Sequence, residues 1–155
     1  MVQVLVLYYS RTGNTEALAN AIADGSRQVE GVLVTIKRID YATVQDFISC
    51  DAVAFGSPNY FGYMAGIMKD FFDKAWSVRI NVAGKVAAAF TSGGGNSNSA
   101  LVSLENVIGY FKLEKVAEGI VSVRKPNEQD LKKCKDLGRK LAESAIDNVK
   151  AAPKA

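Results

Sequence analysis

Short, densely apolar runs alternate with longer amphipathic ones along this chain. Val2-Gln3-Val4-Leu5-Val6-Leu7-Tyr8 is rich in β-branched and aromatic residues, as a strand buried in a parallel sheet is. The run that follows places Ala17, Leu18, Ala21 and Ile22 at helical spacing, with Glu16, Asn20 and Asp24 on other faces. Continued along the chain, the pattern predicts strands at 2–8, 32–38, 51–56, 85–91 and 114–122. It predicts helices at 14–28, 43–48, 64–77, 98–111 and 127–149. Pro126, Asn127 and Asp130 mark the start of the last helix, whose apolar stripe is Leu131, Cys134, Leu137, Leu141 and Ala145. Strands alternating with helices imply parallel pairing through right-handed crossovers. The expected architecture is α/β: one doubly wound open sheet of five parallel strands, order 2-1-3-4-5, with helices on both faces. Residues 1–149 form the expected domain, and 150–155 are expected to be a frayed tail.

Composition adds limits. The 155 residues are 48% apolar and 23% charged, ordinary for a single globular core. No apolar run approaches a membrane span and Met1-Val2-Gln3-Val4 enters a core strand directly, so no membrane association and a cytoplasmic location are expected. The two cysteines, Cys50 and Cys134, are far apart, lack a CxxC pattern and have no histidine anywhere in the chain to act with. They read as small packing residues, and a structural zinc site or a Cys-His nucleophile is excluded.

The chemistry is concentrated where strands end. Ser10-Arg11-Thr12-Gly13-Asn14-Thr15 lies at the first strand-to-helix turn, where free amides and the helix dipole favour an anion. Gly13 permits close approach, Ser10, Thr12 and Thr15 offer hydroxyls, Asn14 an amide, and Arg11 the one full charge. A nucleoside-triphosphate loop is ruled out, because Tyr8 stands where its first glycine belongs and Asn14 where its lysine belongs. The dinucleotide fingerprint is ruled out too, since only Gly13 is present of three spaced glycines. A terminal phosphate monoester suits the loop.

Two more loops follow strands: Ser57-Pro58-Asn59-Tyr60-Phe61-Gly62-Tyr63-Met64, and Thr91-Ser92-Gly93-Gly94-Gly95-Asn96. Ligands of open parallel sheets bind at the carboxyl ends of strands where the strand order reverses, so one ligand can touch all three loops. Tyr60 and Phe61 are suited to flank a flat ring, Asn59 and loop amides to bond its polar edge, and the glycines to let a plane lie near the backbone. A flat polar ring with a phosphate tail is FMN. The expected cofactor-binding set is Ser10 to Thr15, Pro58 to Tyr63 and Thr91 to Gly95. A phospho-receiver of the same architecture would need acidic residues at the strand ends, and Tyr8-Tyr9-Ser10 and Phe55-Gly56-Ser57 have none.

Three segments carry a family resemblance: Leu5 to Thr15, Gly56-Ser57-Pro58-Asn59-Tyr60-Phe61-Gly62, and Met68-Lys69-Asp70-Phe71-Phe72-Asp73. They resemble the flavodoxin-like superfamily, and within it the branch of flavodoxins and tryptophan-repressor-binding-protein-type NAD(P)H:quinone oxidoreductases. The likeness runs from Val2 to about Ala145 in the same order. It implies FMN and two alternative roles. One is an electron carrier between protein redox partners, a reductase or ferredoxin-like donor and an acceptor. The other is a reductase using NAD(P)H and quinone, possible as a homo-oligomer. Tyr63, Tyr110 and Trp76 are available for a substrate or subunit face, although Trp76 reads first as a helix-end core residue.

Charge departs from the acidic shuttle flavodoxins. The net charge is +3, and the excess lies in residues 112–155, with 11 Lys and Arg against 7 Asp and Glu. Lys132, Lys133, Lys135, Arg139 and Lys140 alternate with acids along one helix, a solvated face and no nucleic-acid footprint. The third loop, Gly93-Gly94-Gly95-Asn96, lacks the acid and aromatic common there in relatives. The reductase branch carries extra segments and histidines near the flavin that this chain lacks, and only Ser77 to Ala83 links the third helix to the fourth strand. The short chain and the missing histidines favour the carrier, whereas the charge and the third loop weaken the likeness to shuttle flavodoxins and the proline-aromatic loop favours the reductase. Gly62 is expected to tune the cofactor, since a glycine peptide can turn its carbonyl toward the flavin at little steric cost and so favour one-electron chemistry.

Overall fold

The computed structural model describes residues 1–153. Its sheet runs β2-β1-β3-β4-β5, all pairs parallel, from β1 (Val2–Tyr8), β2 (Val32–Arg38), β3 (Ala52–Pro58), β4 (Val86–Gly93) and β5 (Glu114–Lys115). A sixth strand, β6 (Ile120–Val123), also pairs with β4. The helices are α1 (Asn14–Arg27), α2 (Val44–Ser49), α3 (Gly66–Ala75), α4 (Arg79–Val82), α5 (Ser99–Tyr110) and α6 (Glu128–Ala151). The expected strand order is the observed one.

The sheet separates two apolar clusters. Under α2, α3 and α5 the core holds a phenylalanine cluster, with Phe55 edge-on to Phe72 at 4.8 Å between centroids and to Phe47 at 5.6 Å. Under α1 and α6 it is aliphatic, built from Val4, Val6, Leu18, Ile22, Leu137 and Leu141, with Phe90 among them. Each such buried side chain contributes on the order of 1.5–3 kcal/mol. Small residues bring α1 and α6 together: a Cβ on Gly25 would overlap the Lys135 carbonyl, and one on Gly138 the Ile22 carbonyl. Ser26 Oγ donates to Gly138 O at 2.8 Å across the same contact.

The structure departs from the expected elements in five places. The single strand expected at 114–122 is broken in two. Ala87 pairs with Lys115 and Phe90 with Ile120, so three steps along β4 face five along the edge, a two-residue bulge. The helix expected from 64 starts at Gly66, because the Met64 and Ala65 N–H groups are drawn to Ser103 Oγ (3.1 Å) and Ser57 Oγ (2.7 Å). The loop expected over 77–83 is wound into a 3₁₀ turn (Trp76–Val78) followed by α4. Trp76, expected in the core, is 43% exposed, with one edge on Phe111 and the Arg79 guanidinium over its ring. At the C-terminus, α6 runs to Ala151, two residues past its expected end; Lys154 and Ala155 lie outside the described residues.

Candidate functional site

Loops leaving β1, β3 and β4 meet at the carboxyl edge of the sheet. The first is shaped by Gly13, whose φ of 97° makes it a left-handed cap to α1 without a side-chain cap. Ser10 Oγ accepts the Gly13 N–H at 3.1 Å, which closes the loop on itself. Arg38, at the end of β2, braces its start: the guanidinium donates to Ser10 O at 2.7 Å and lies 5.4 Å from the Tyr9 ring centre. The N–H groups of Arg11, Thr12, Asn14, Thr15 and Glu16 have no partner among the described residues. Three of them belong to the first turn of α1, where the helix dipole adds positive potential.

Loop three is the hub. Thr15 Oγ1 and Ser92 Oγ, both buried, share a hydrogen bond of 2.7 Å between loops one and three. The Asn59 N–H donates to Ser92 O at 2.7 Å, joining loop two to loop three. The Arg124 N–H donates to Gly93 O, also at 2.7 Å, and ties on the end of β6. Gly93 is held so closely against Asn59 that a Cβ there would come within 3.1 Å of the asparagine Cβ.

These contacts enclose a cleft of about 280 Å³, lined by Arg11, Thr12, Asn14, Thr15, Pro58, Asn59, Tyr60, Ser92, Gly93, Gly94 and Arg124. Of the expected site residues, Ser10, Gly13 and Thr91 act from beneath or within the backbone and do not line it. Phe61, Gly62 and Tyr63 form an exposed turn at its side, and Gly95 lies outside it. Tyr60 is one wall, edge-on to Tyr9 with centroids 6.4 Å apart, whereas Phe61 is fully in solvent. Arg124 was missed by the sequence reading. Its signal is faint: a basic residue two places before Pro126, where the fifth strand should end. Only the bulge between β5 and β6 sets it level with Gly93.

The electrostatics suit an anion. Among the described residues, Arg11 and Arg124 are the charged groups lining the cleft, and no carboxylate lines it. Glu16, in the first turn of α1, is engaged by the Tyr8 hydroxyl, which donates to its Oε2 at 2.8 Å. Burial first, and this carboxylate second, push the Tyr8 phenol up to about 12, so it remains a proton donor to Glu16 at neutral pH. Free amides, the Thr12 and Thr15 hydroxyls and an arginine around a left-handed glycine are a donor set suited to a phosphate ester. Away from this site, burial pushes the Cys50 and Cys134 thiols up to about 12, so neither is a ready nucleophile. Among the described residues no cluster of metal-ligating side chains is found, and no helix is long and apolar enough to cross a membrane.

Comparison with known proteins gives the site its context. The model of the flavodoxin family matches residues 6–138. A flavodoxin of Aquifex aeolicus is 36% identical over 163 aligned positions, covering 92% of this chain and 86% of the relative. An NAD(P)H dehydrogenase (quinone) of Caulobacter vibrioides is 32% identical over 197 positions, covering 94% of this chain and 98% of the relative. A solved flavodoxin from the domain Archaea superposes with a TM-score of 0.86 at 27% identity, covering 94% of this chain and 99% of that one. Loops, strand order and sequence agree, and the chain belongs to the flavodoxin family of flavoproteins.

Proposed function

We propose that this cleft holds FMN and that the protein carries electrons between protein redox partners. The observation that supports it is the convergence of a phosphate-type donor loop, a tyrosine wall and a glycine-lined floor in one cleft. The free N–H groups of Thr12, Asn14, Thr15 and Glu16, with the Thr12 hydroxyl and Arg11, hold the phosphate. Tyr60 and the Gly93-Gly94 backbone flank the ring. Bound FMN supplies reversible uptake of one or two electrons. The protein orients it, keeps water from one face and sets its electrostatics.

The carrier role is favoured by chain length. The Caulobacter reductase aligns over 197 positions against the 155 residues present here, so it has segments that this chain lacks. A reductase donor and a separate acceptor, rather than nucleic acid or membrane, are the partners, in the cytoplasm. NAD(P)H:quinone reduction is the second reading, supported by that same relative's likeness over nearly its full length. The test is a fluorescence titration of flavin-free protein with FMN and with riboflavin, then an assay of the loaded protein with NAD(P)H and quinone. FMN should bind at least about tenfold more tightly than riboflavin, a difference of about 1.4 kcal/mol from the phosphate contacts. Equal affinity would refute the phosphate assignment. Turnover of NAD(P)H without an added reductase would replace the carrier reading with the enzymatic one.

A further inference from the structure

The face between the end of α3 and the end of α5 is apolar and open. Phe72 and Trp76 recur at helical spacing along α3 and the turn after it, and Val107, Tyr110 and Phe111 do so at the end of α5. Phe111 is buried as a floor, whereas Trp76, Tyr110 (68%) and Ile80 (85%) are exposed, and α4 has only four residues with which to cover them. Two hollows result, of about 280 and 440 Å³, and Trp76, Tyr110 and Phe111 line both. Hollows of this size, walled by aromatic rings with a few polar groups, suit a small ligand. Because α3 starts beyond the carboxyl end of β3 and α4 leads back to the start of β4, this groove lies at the amino edge of the sheet, opposite the cleft.

Its charge is one-sided. Lys69 is answered by Asp73 at 2.6 Å. Arg79 and Lys112 line the larger hollow, and among the described residues neither has a carboxylate partner. Both are anchored. Arg79 donates from Nη1 to Trp76 O at 3.0 Å, with its guanidinium 4.6 Å from the indole centre. Lys112 has a φ of 57°, fixed by its N–H on Gly109 O at 3.0 Å and by the Gly84 N–H on its own carbonyl at 2.8 Å.

We propose that this groove is a second ligand site, separate from the cleft, that takes a small aromatic anion, a ring-bearing carboxylate or sulfonate. Covering Trp76 and Tyr110 with the ring supplies the attraction, and the two unanswered cations select the sign of the charge. A second copy of the chain is a poor occupant, since two such faces laid together bring like charge against like.

The probe is anilinonaphthalenesulfonate, with phenylnaphthylamine as the same rings lacking the sulfonate. Trp76 is the one tryptophan of the chain, so its indole N–H gives a single magnetic-resonance signal at the groove. Titration with the sulfonate should move that signal and the Tyr110 and Lys112 amides saturably. Tyr110→Ser should weaken both dyes. Arg79→Gln combined with Lys112→Asn, a residue that tolerates the left-handed backbone, should weaken the sulfonate about fivefold and the uncharged dye less than about twofold. In the unaltered chain, added salt should weaken the sulfonate alone, which tests the charge without a variant. Equal losses for the two dyes, in the variant or in salt, would overturn the choice of an anion. Shifts confined to Gly13, Gly93 and Gly94 would put the dye in the cleft and remove the case for a second site. An indole signal that moves on dilution without dye, together with a dimeric mass in sedimentation, would give the face to a second copy and refute the proposal.

Discussion

At the residue scale, the hydroxyl pair Thr15 and Ser92 shows how little surplus the site has. Each is buried, and each is the other's side-chain partner. Thr15→Val preserves shape but leaves Ser92 Oγ without that bond, and should cost about 1–3 kcal/mol in urea denaturation, whereas Thr15→Ser should cost less. The sequence marked both positions as ligand groups and gave no hint that they bond one another. Residue types foretell capacity to donate; which partner is taken depends on loops 77 positions apart meeting. The same limit hid Arg124, whose role comes from register and not from its neighbours in the chain.

At the element scale, boundaries follow competition for backbone donors. Helix α2 has only six residues and relies on its capping box, Thr43 with Asp46. Burial opposes ionisation of Asp46, but the Thr43 N–H and the Lys37 ammonium at 3.0 Å outweigh it and hold the carboxyl below its ordinary range. A carboxyl lowered in the folded state adds stability above its unfolded value, and that contribution is lost as pH falls through the folded value. Asp46→Ala should therefore cost about 1 kcal/mol at pH 7. Urea midpoints should show the difference from the parent narrowing as the solution is taken to pH 3. The contact between α1 and α6 has the opposite character, since it depends on missing atoms. Gly138→Ala should cost on the order of 1–3 kcal/mol by the same measurement, because the new methyl meets the fixed Ile22 carbonyl. Hydrophobic periodicity predicted both helices well, since their faces are long and regular. It was silent on Gly25 and Gly138, because a glycine within a helical pattern looks the same whether it is crowded or open.

At the scale of the whole molecule, strand order could be read because buried parallel strands are nearly pure apolar runs and the crossovers leave few topologies. The site needed more, since three loops separated by most of the chain must share one floor. Ligand binding should consequently stabilise the molecule globally. With FMN at a hundred times its dissociation constant, the unfolding free energy should rise by about 2.7 kcal/mol, and a thermal melt with riboflavin at the same concentration should move less. An unchanged melt with FMN would mean that the cleft takes another ligand.

The bulge between β5 and β6 has a use beyond placing one arginine. Because Lys115 and Ile120 are keyed to β4 separately, and the Val116 N–H is still held by Ala87 O, the residues Ala117 to Gly119 lie outside both registers. Extra length introduced there would swell outward at the open edge of the sheet, leaving β6 and the cleft where they are. The edge thus has an expansion joint, the place where a descendant of this chain could acquire a new docking lobe without disturbing the old chemistry.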